Sequence, residues 1–160
     1  MEEPTIRQAT FADRPRLRAA VVELQEHERR LHPTRLPGDE IADAYLDWML
    51  AAAGDGGGVF VVEVDSAFAG FAAGWIEKNA SPSETPDSGR YGFVSDVCVL
   101  PAYRGRRIAS RLIEALITHF RRAGVTRVRI CSLAANRAAR ASYERSGFAA
   151  YEIVYERVIG

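Results

Sequence analysis

The sequence predicts one α/β domain on a mixed sheet, with elements in the order β-α-α-β-β-β-α-β-α-β. Three observations carry that prediction. Two helical stripes of apolar residues follow a short N-terminal strand. Two apolar runs then flank a tight turn and read as a hairpin. The second half alternates strand and helix, which favours a parallel strand pair there. No internal repeat or composition break divides the 160 residues, so a single domain over residues 1–160 is expected.

Residues 5–10 form the first strand. Asp13 caps a helix to about Leu31, with Pro15 tolerated in its first turn. Leu17, Val21, Leu24 and Leu31 recur at helical steps and form one buried face. His32-Pro33 ends the helix, because a residue before proline avoids the helical region. Pro37-Gly38-Asp39 starts a second helix to about Ala53, with Ile41, Ala44, Tyr45, Trp48 and Ala52 as its stripe. Residues 59–64 and 68–77 are the hairpin strands, joined around Asp65-Ser66. Residues 79–90 are polar and read as a mobile loop. A strand over 91–100, a helix over 104–123 and a strand over 125–132 follow. Gly124 stops that helix. A helix over 136–146, stopped by Gly147, and a last strand over 148–158 complete the chain.

Composition limits the function classes. Hydrophobic residues make up 48% and charged residues 26%, as in soluble globular proteins. Lys+Arg and Asp+Glu are both 21, so net charge is zero, which disfavours nucleic acid and anionic membrane surfaces as partners. Only Lys78 is a lysine; the other basic residues are arginines, suited to phosphate and carboxylate groups. Cys98 and Cys131 sit in apolar runs and read as buried strand thiols. No Cys/His cluster has metal spacing, so no metal is expected. The acidic N-terminus lacks an apolar secretory segment, and no window is long and apolar enough for a membrane span. Asn79-Ala80-Ser81 is therefore treated as a chance glycosylation triplet, and a reducing cytoplasm is the expected compartment.

Two segments carry chemistry. In Val94 to Ile113 a strand ends, a short loop follows, and a helix begins near Arg104. Gly105 lets the backbone approach a ligand closely. The first amides of a helix lack internal partners, so such a turn suits a phosphate or pyrophosphate. Arg104, Arg106 and Arg107 add charge, although a surface turn with solvated arginines has the same composition. In the second segment Asn136 caps a helix, Tyr143 lies two turns along the same face, Gly147 ends the helix and Phe148 opens the next strand. Cap, core aromatic and C-cap account for all of these residues as well.

Together the segments resemble the GNAT superfamily of acyl-CoA-dependent N-acetyltransferases. Arg104-Gly105-Arg106-Arg107-Ile108-Ala109 is similar to the family's pyrophosphate motif, Gln/Arg-x-x-Gly-x-Gly/Ala. Asn136, Ala139, Tyr143, Gly147 and Phe148 match its Asn-x-x-Ala-x-x-x-Tyr-x-x-x-Gly-Phe. The family's central Gly is Arg107 here. With ordinary helical φ at that position an arginine fits and adds a phosphate partner. That reading is adopted because Gly105 is retained.

The resemblance implies a central pair of parallel strands that splay, here those ending at Leu100 and Ser132, with the pantetheine arm of acetyl-CoA between them. It implies main-chain contacts from Val97, Cys98 and Val99, one amide polarising the thioester carbonyl. It implies that the amides of Gly105 to Ser110 hold the pyrophosphate, that Asn136 bonds the cofactor arm, and that Tyr143 protonates the leaving thiolate. Asp96, the only acid of its strand, is the candidate base, with a structural hydrogen bond as its other role. His27 and Glu28 interrupt the apolar stripe of the first helix, as substrate-site residues or as a solvated face. The implied activity is transfer of an acetyl group to an amine of a small molecule by direct attack in a ternary complex. A protein or peptide acceptor, and an acyl-CoA-binding module without turnover, are the alternatives. Homodimers are common in the family, and nothing in the sequence fixes an interface.

Overall fold

A computed structural model describes residues 3–160; Met1 and Glu2, part of the acidic N-terminus, lie outside the described residues. The elements are β1 (Thr5–Gln8), α1 (Arg14–Arg29), α2 (Gly38–Ala53), β2 (Gly58–Val64), β3 (Ala67–Lys78), β4 (Arg90–Val99), α3 (Ile108–Arg122), β5 (Val128–Ile130) and α4 (Arg137–Arg145). The strands form one five-stranded sheet in chain order, antiparallel except for the parallel pair β4–β5. The mixed sheet and its parallel pair agree with the sequence reading. Asp65 and Ser66 make the β2–β3 turn, both at positive φ, as a two-residue hairpin turn requires.

Helices cover both faces of the sheet. On one face Leu17, Ala20 and Val21 of α1 and Leu46 and Met49 of α2 pack on Phe71 and Trp75. On the other, Leu112, Leu116 and Phe120 of α3 pack on Val62, Ala72 and Val94. Among the described residues no helix is long and apolar enough to cross a membrane.

Several expectations are corrected. Asp13 makes no side-chain cap to α1; its carboxylate instead accepts from Thr10 N and Arg7. The buried face of α2 is Ala42, Leu46, Met49 and Ala53; of the expected stripe Ile41, Tyr45 and Ala52 pack against that core, whereas Ala44 and Trp48 are exposed. Helix α3 begins at Ile108 rather than near Arg104, because a short 3-10 turn (Pro101–Tyr103) and a left-handed turn come first. β5 is three residues long, since β4 pairs with it only from Gly92 to Val94. Cys131, one residue past β5, is therefore exposed, whereas Cys98 is buried and its thiol donates to Ala20 O.

The last expected strand is absent: residues 148–160 carry no strand or helix. Strand propensity needs a ladder partner, and this segment leaves the sheet instead. It passes Arg129, which sits 4.5 Å from the Tyr151 ring centroid, and reaches His32, 3.5 Å from Glu156. Its apolar residues Ile153, Val154, Tyr155 and Val158 are left exposed. The 79–90 loop is closed on itself rather than open. Asn79 N donates to Gly89 O at 2.7 Å, Ser88 bonds Glu84, and Arg127 holds Asp87.

Candidate functional site

The site starts from an extra residue in β4. Ala73 pairs with Asp96 and Gly74 with Val94, so Ser95 is a bulge. A bulge bends its strand and shifts which side chains share a face. Phe93, Asp96 and Cys98 thereby all face α1 and α2, while Val94, Val97 and Val99 face α3. Beyond Val94 the strands β4 and β5 part.

The splay frees one edge of β4. Leu100 N donates to Ala69 O across β3, while Val99 O accepts from Arg104 Nε at 3.0 Å. Main-chain groups alternate sides along a strand. Val97 and Val99 therefore present theirs to the open edge, and Cys98 presents its own to β3. Of the three expected contacts, Cys98 is the one whose backbone points away. Burial pushes its thiol up to about 12, so it stays neutral.

The turn after β4 presents uncapped helix amides beside arginines. Gly105 has φ +79°, and a Cβ there meets nothing within 4 Å, so its backbone angle rather than crowding accounts for glycine. Arg107 has φ 58° and ψ 19°, a left-handed N-cap. The expectation of ordinary helical φ is overturned, because α3 starts one residue later. An arginine has no acceptor atom and cannot cap a helix. The amides of Ile108, Ala109 and Ser110 thus lack both intrahelical partners and a side-chain cap. Ile108 is itself a core residue and anchors the turn. Arg106 and Arg107 open onto a groove of about 840 Å³ that runs along α3 past Arg111 and Arg122. Arg104 turns the other way, tied to Val99 O and to Glu23 at 3.2 Å. Ser110 accepts from Ser146 at 3.0 Å, which joins α3 to α4.

Helix α4, joined to α3 by that bond, carries the two other motif residues. Asn136 caps it, Oδ1 accepting from Ala139 N at 3.1 Å. Tyr143 packs edge-on against Phe148 at 6.3 Å. Burial first, then the charges of Glu28 and Asp96, push its hydroxyl up to about 12.

On the α1–α2 side of β4 lies an acidic and aromatic cluster. Asp96 is 5% exposed; Oδ1 accepts from Tyr45 Oη at 2.7 Å, and Oδ2 has no hydrogen-bond partner among the described residues. Burial raises its pKa, the Ser95 and Tyr45 hydroxyls pull it down, and Glu28 pushes it up. Glu28 is half-buried on α1 and held by Arg35 at 2.9 Å; His27, beside it, is also half-buried. Burial first, then Asp96 and least Glu28, raise the Tyr45 hydroxyl as well.

A family model described as the acetyltransferase (GNAT) family matches residues 19–148. The chain belongs to the GNAT acetyltransferase family. As a member it is an acetyl-CoA-dependent N-acetyltransferase. No curated protein matches the sequence. Solved structures are similar in fold at low identity. AAC(6')-Iy, in complex with the bisubstrate analogue CoA-S-monomethyl-acetylneamine, is 21% identical with a TM-score of 0.72, covering 99% of this chain and 100% of its own. Glucosamine-6-phosphate N-acetyltransferase from Arabidopsis thaliana is 22% identical with a TM-score of 0.66, covering 99% and 100%. A predicted acetyltransferase with acetyl-CoA from Clostridium acetobutylicum is 17% identical with a TM-score of 0.71, covering 98% and 96%.

Sequence reasoning does not single out three residues of this acetyltransferase that contact the groups above or their neighbours. Tyr45 and Trp48 were placed in the core stripe of α2. The helix is apolar on two faces, and the spare face was the available signal. Arg129 is the third. Its guanidinium lies between the rings of Tyr91, at 3.9 Å, and Tyr151, at 4.5 Å, and within 3.9 Å of Glu84. It ties the 79–90 loop and the C-terminal segment to β5.

Proposed function

We propose that the chain is a single N-acetyltransferase domain that moves the acetyl group of acetyl-CoA to an amine of a small molecule. The observation that carries this reading is the parting of β4 and β5 beside a turn whose helix amides are uncapped. In it the pantetheine arm pairs with the open edge of β4 at Val97 and Val99. The amides from Gly105 to Ser110 hold the pyrophosphate, with Arg106 and Arg107 adding charge. Asn136 has committed its oxygen to the cap, so its side-chain N–H group meets the cofactor arm. The small amine acceptors named for AAC(6')-Iy and the Arabidopsis enzyme support the acceptor class. Two free thiols support a reducing, cytoplasmic setting.

Attack is direct, in a ternary complex. Asp96 takes a proton from the incoming ammonium, and the freed nitrogen adds to the thioester carbonyl. An amide of the Val97–Val99 stretch stabilises the oxygen charge. As the carbon–sulfur bond breaks, Tyr143 gives its proton to the sulfur. Tyr143 recovers a proton from the new amide nitrogen, and Asp96 releases its own to solvent. A hydroxyl with a pKa of about 12 is protonated at neutral pH, as a donor must be.

Melting with and without acetyl-CoA tests the reading. A ligand at a hundred times its dissociation constant adds about 2.7 kcal/mol. That is a rise of about 5–10 °C for a domain of this size. No rise, with no heat of binding by calorimetry, would remove the cosubstrate site and the function with it.

A further inference from the structure

Four aromatic rings form a chain of contacts that begins at the tyrosine bonded to Asp96. Tyr45, whose hydroxyl donates to Asp96, lies 5.3 Å from Trp48, tilted by 50°. Trp48 meets Trp75 edge-on at 5.3 Å and 88°, and Trp75 meets Phe93 at 5.7 Å. Trp75, at 7% exposed, is core, but Trp48 is 52% exposed one helical turn from Tyr45. Asp96 Oδ2, buried with no partner, is costly to keep, and one ring away Trp48 keeps half of its apolar area in water. One molecule relieves both: a donor-bearing cation for Asp96 Oδ2, with a planar apolar body for Trp48.

We propose that the acceptor is an arylalkylamine, a primary ammonium joined to an aromatic ring by a short alkyl spacer. The inference rests on the N-acetyltransferase reading and deepens it. The ammonium pairs with Asp96, and its charge favours the ionised carboxylate that must then take its proton. The ring stacks on Trp48, where aromatic pairing adds to the area buried. Glu28 adds negative potential at the amine end. A sugar amine would set hydroxyls against this apolar row, and an aliphatic polyamine would leave the indole face without a planar partner.

The test compares phenethylamine and tryptamine with spermidine and glucosamine as acceptors, by thiol release from acetyl-CoA. The arylalkylamines should lead in kcat/KM by tenfold or more. Trp48→Ala should raise the phenethylamine KM about tenfold with kcat nearly unchanged, and Trp48→Phe should recover most of the loss. Acetyl-CoA should still raise the melting temperature of Trp48→Ala, which shows that the variant is folded. A lead for spermidine or glucosamine, no acetylation of phenethylamine, or an unchanged KM in Trp48→Ala would each overturn the acceptor assignment. The N-acetyltransferase reading would survive any of these provided that acetyl-CoA raises the melting temperature of the wild-type protein. Absence of that shift together with no turnover of any amine would remove both.

Discussion

Arg107 holds a left-handed backbone where the family's motif has glycine, and replacing it separates strain from binding. A non-glycine residue in that region costs about 1–2 kcal/mol. Glycine returns about 0.5–1 kcal/mol of that through the greater freedom of the unfolded chain. The side chain is exposed and caps nothing, so little else is lost. Arg107→Gly should therefore stabilise the protein by about 0.5–1 kcal/mol, a rise of about 1–4 °C in melting temperature. The same change removes the phosphate partner proposed above. Affinity for acetyl-CoA should fall about fivefold in low salt, and the gap should narrow at 0.5 M as screening replaces the lost charge. Differential scanning calorimetry and isothermal titration at two salt concentrations read both effects. A lower melting temperature in the glycine variant would refute the strain argument. An unchanged affinity at low salt would take Arg107 out of the phosphate site.

Other outcomes follow from the same geometry. Tyr143→Phe should lower kcat by roughly a hundredfold or more while acetyl-CoA affinity stays within about twofold, measured by steady-state kinetics and calorimetry. Asp96 has a raised pKa in the fold, so its penalty is absent below the unfolded value near 3.9 and grows as pH rises through the folded one. Asp96→Asn should accordingly melt higher than wild type at pH 8, match it near pH 4, and be inactive; a lower melting point at pH 8 would contradict this. Asp13 is the opposite case. The Arg7 guanidinium holds its buried carboxyl well below the usual range, with Arg7 also bonded to Glu63. Asp13→Ala should cost about 2–3 kcal/mol at pH 7, less than for a fully buried pair because Arg7 reaches solvent. The contribution of Asp13 is present above the unfolded carboxylate pKa and lost as pH falls through the folded one. The melting-temperature gap between wild type and variant should therefore shrink below about pH 4.

Local chemistry was legible in the sequence by itself. Asp65-Ser66 between apolar runs specifies a hairpin, Asn136 and Gly147 bracket a helix, and Gly105 marks a turn that needs positive φ. Each of these depends on residues within a few positions, so spacing was enough to find the anion turn and the two motif residues of α4. Contacts between distant segments decided the rest. The bulge at Ser95 sets which β4 side chains face α1 and α2, and one residue either way would turn Asp96 toward α3. The rotation of α2 depends on which of its two apolar faces fits the sheet. Ala42, Leu46 and Met49 pack there, which sets Tyr45 on Asp96 and leaves Trp48 half exposed beside it. The C-terminal residues have strand propensity and no ladder partner in this fold, because pairing belongs to two strands and propensity to one. Short-range geometry thus determined the turn at Gly105 and the α4 motif, and long-range packing brought Tyr45 onto Asp96.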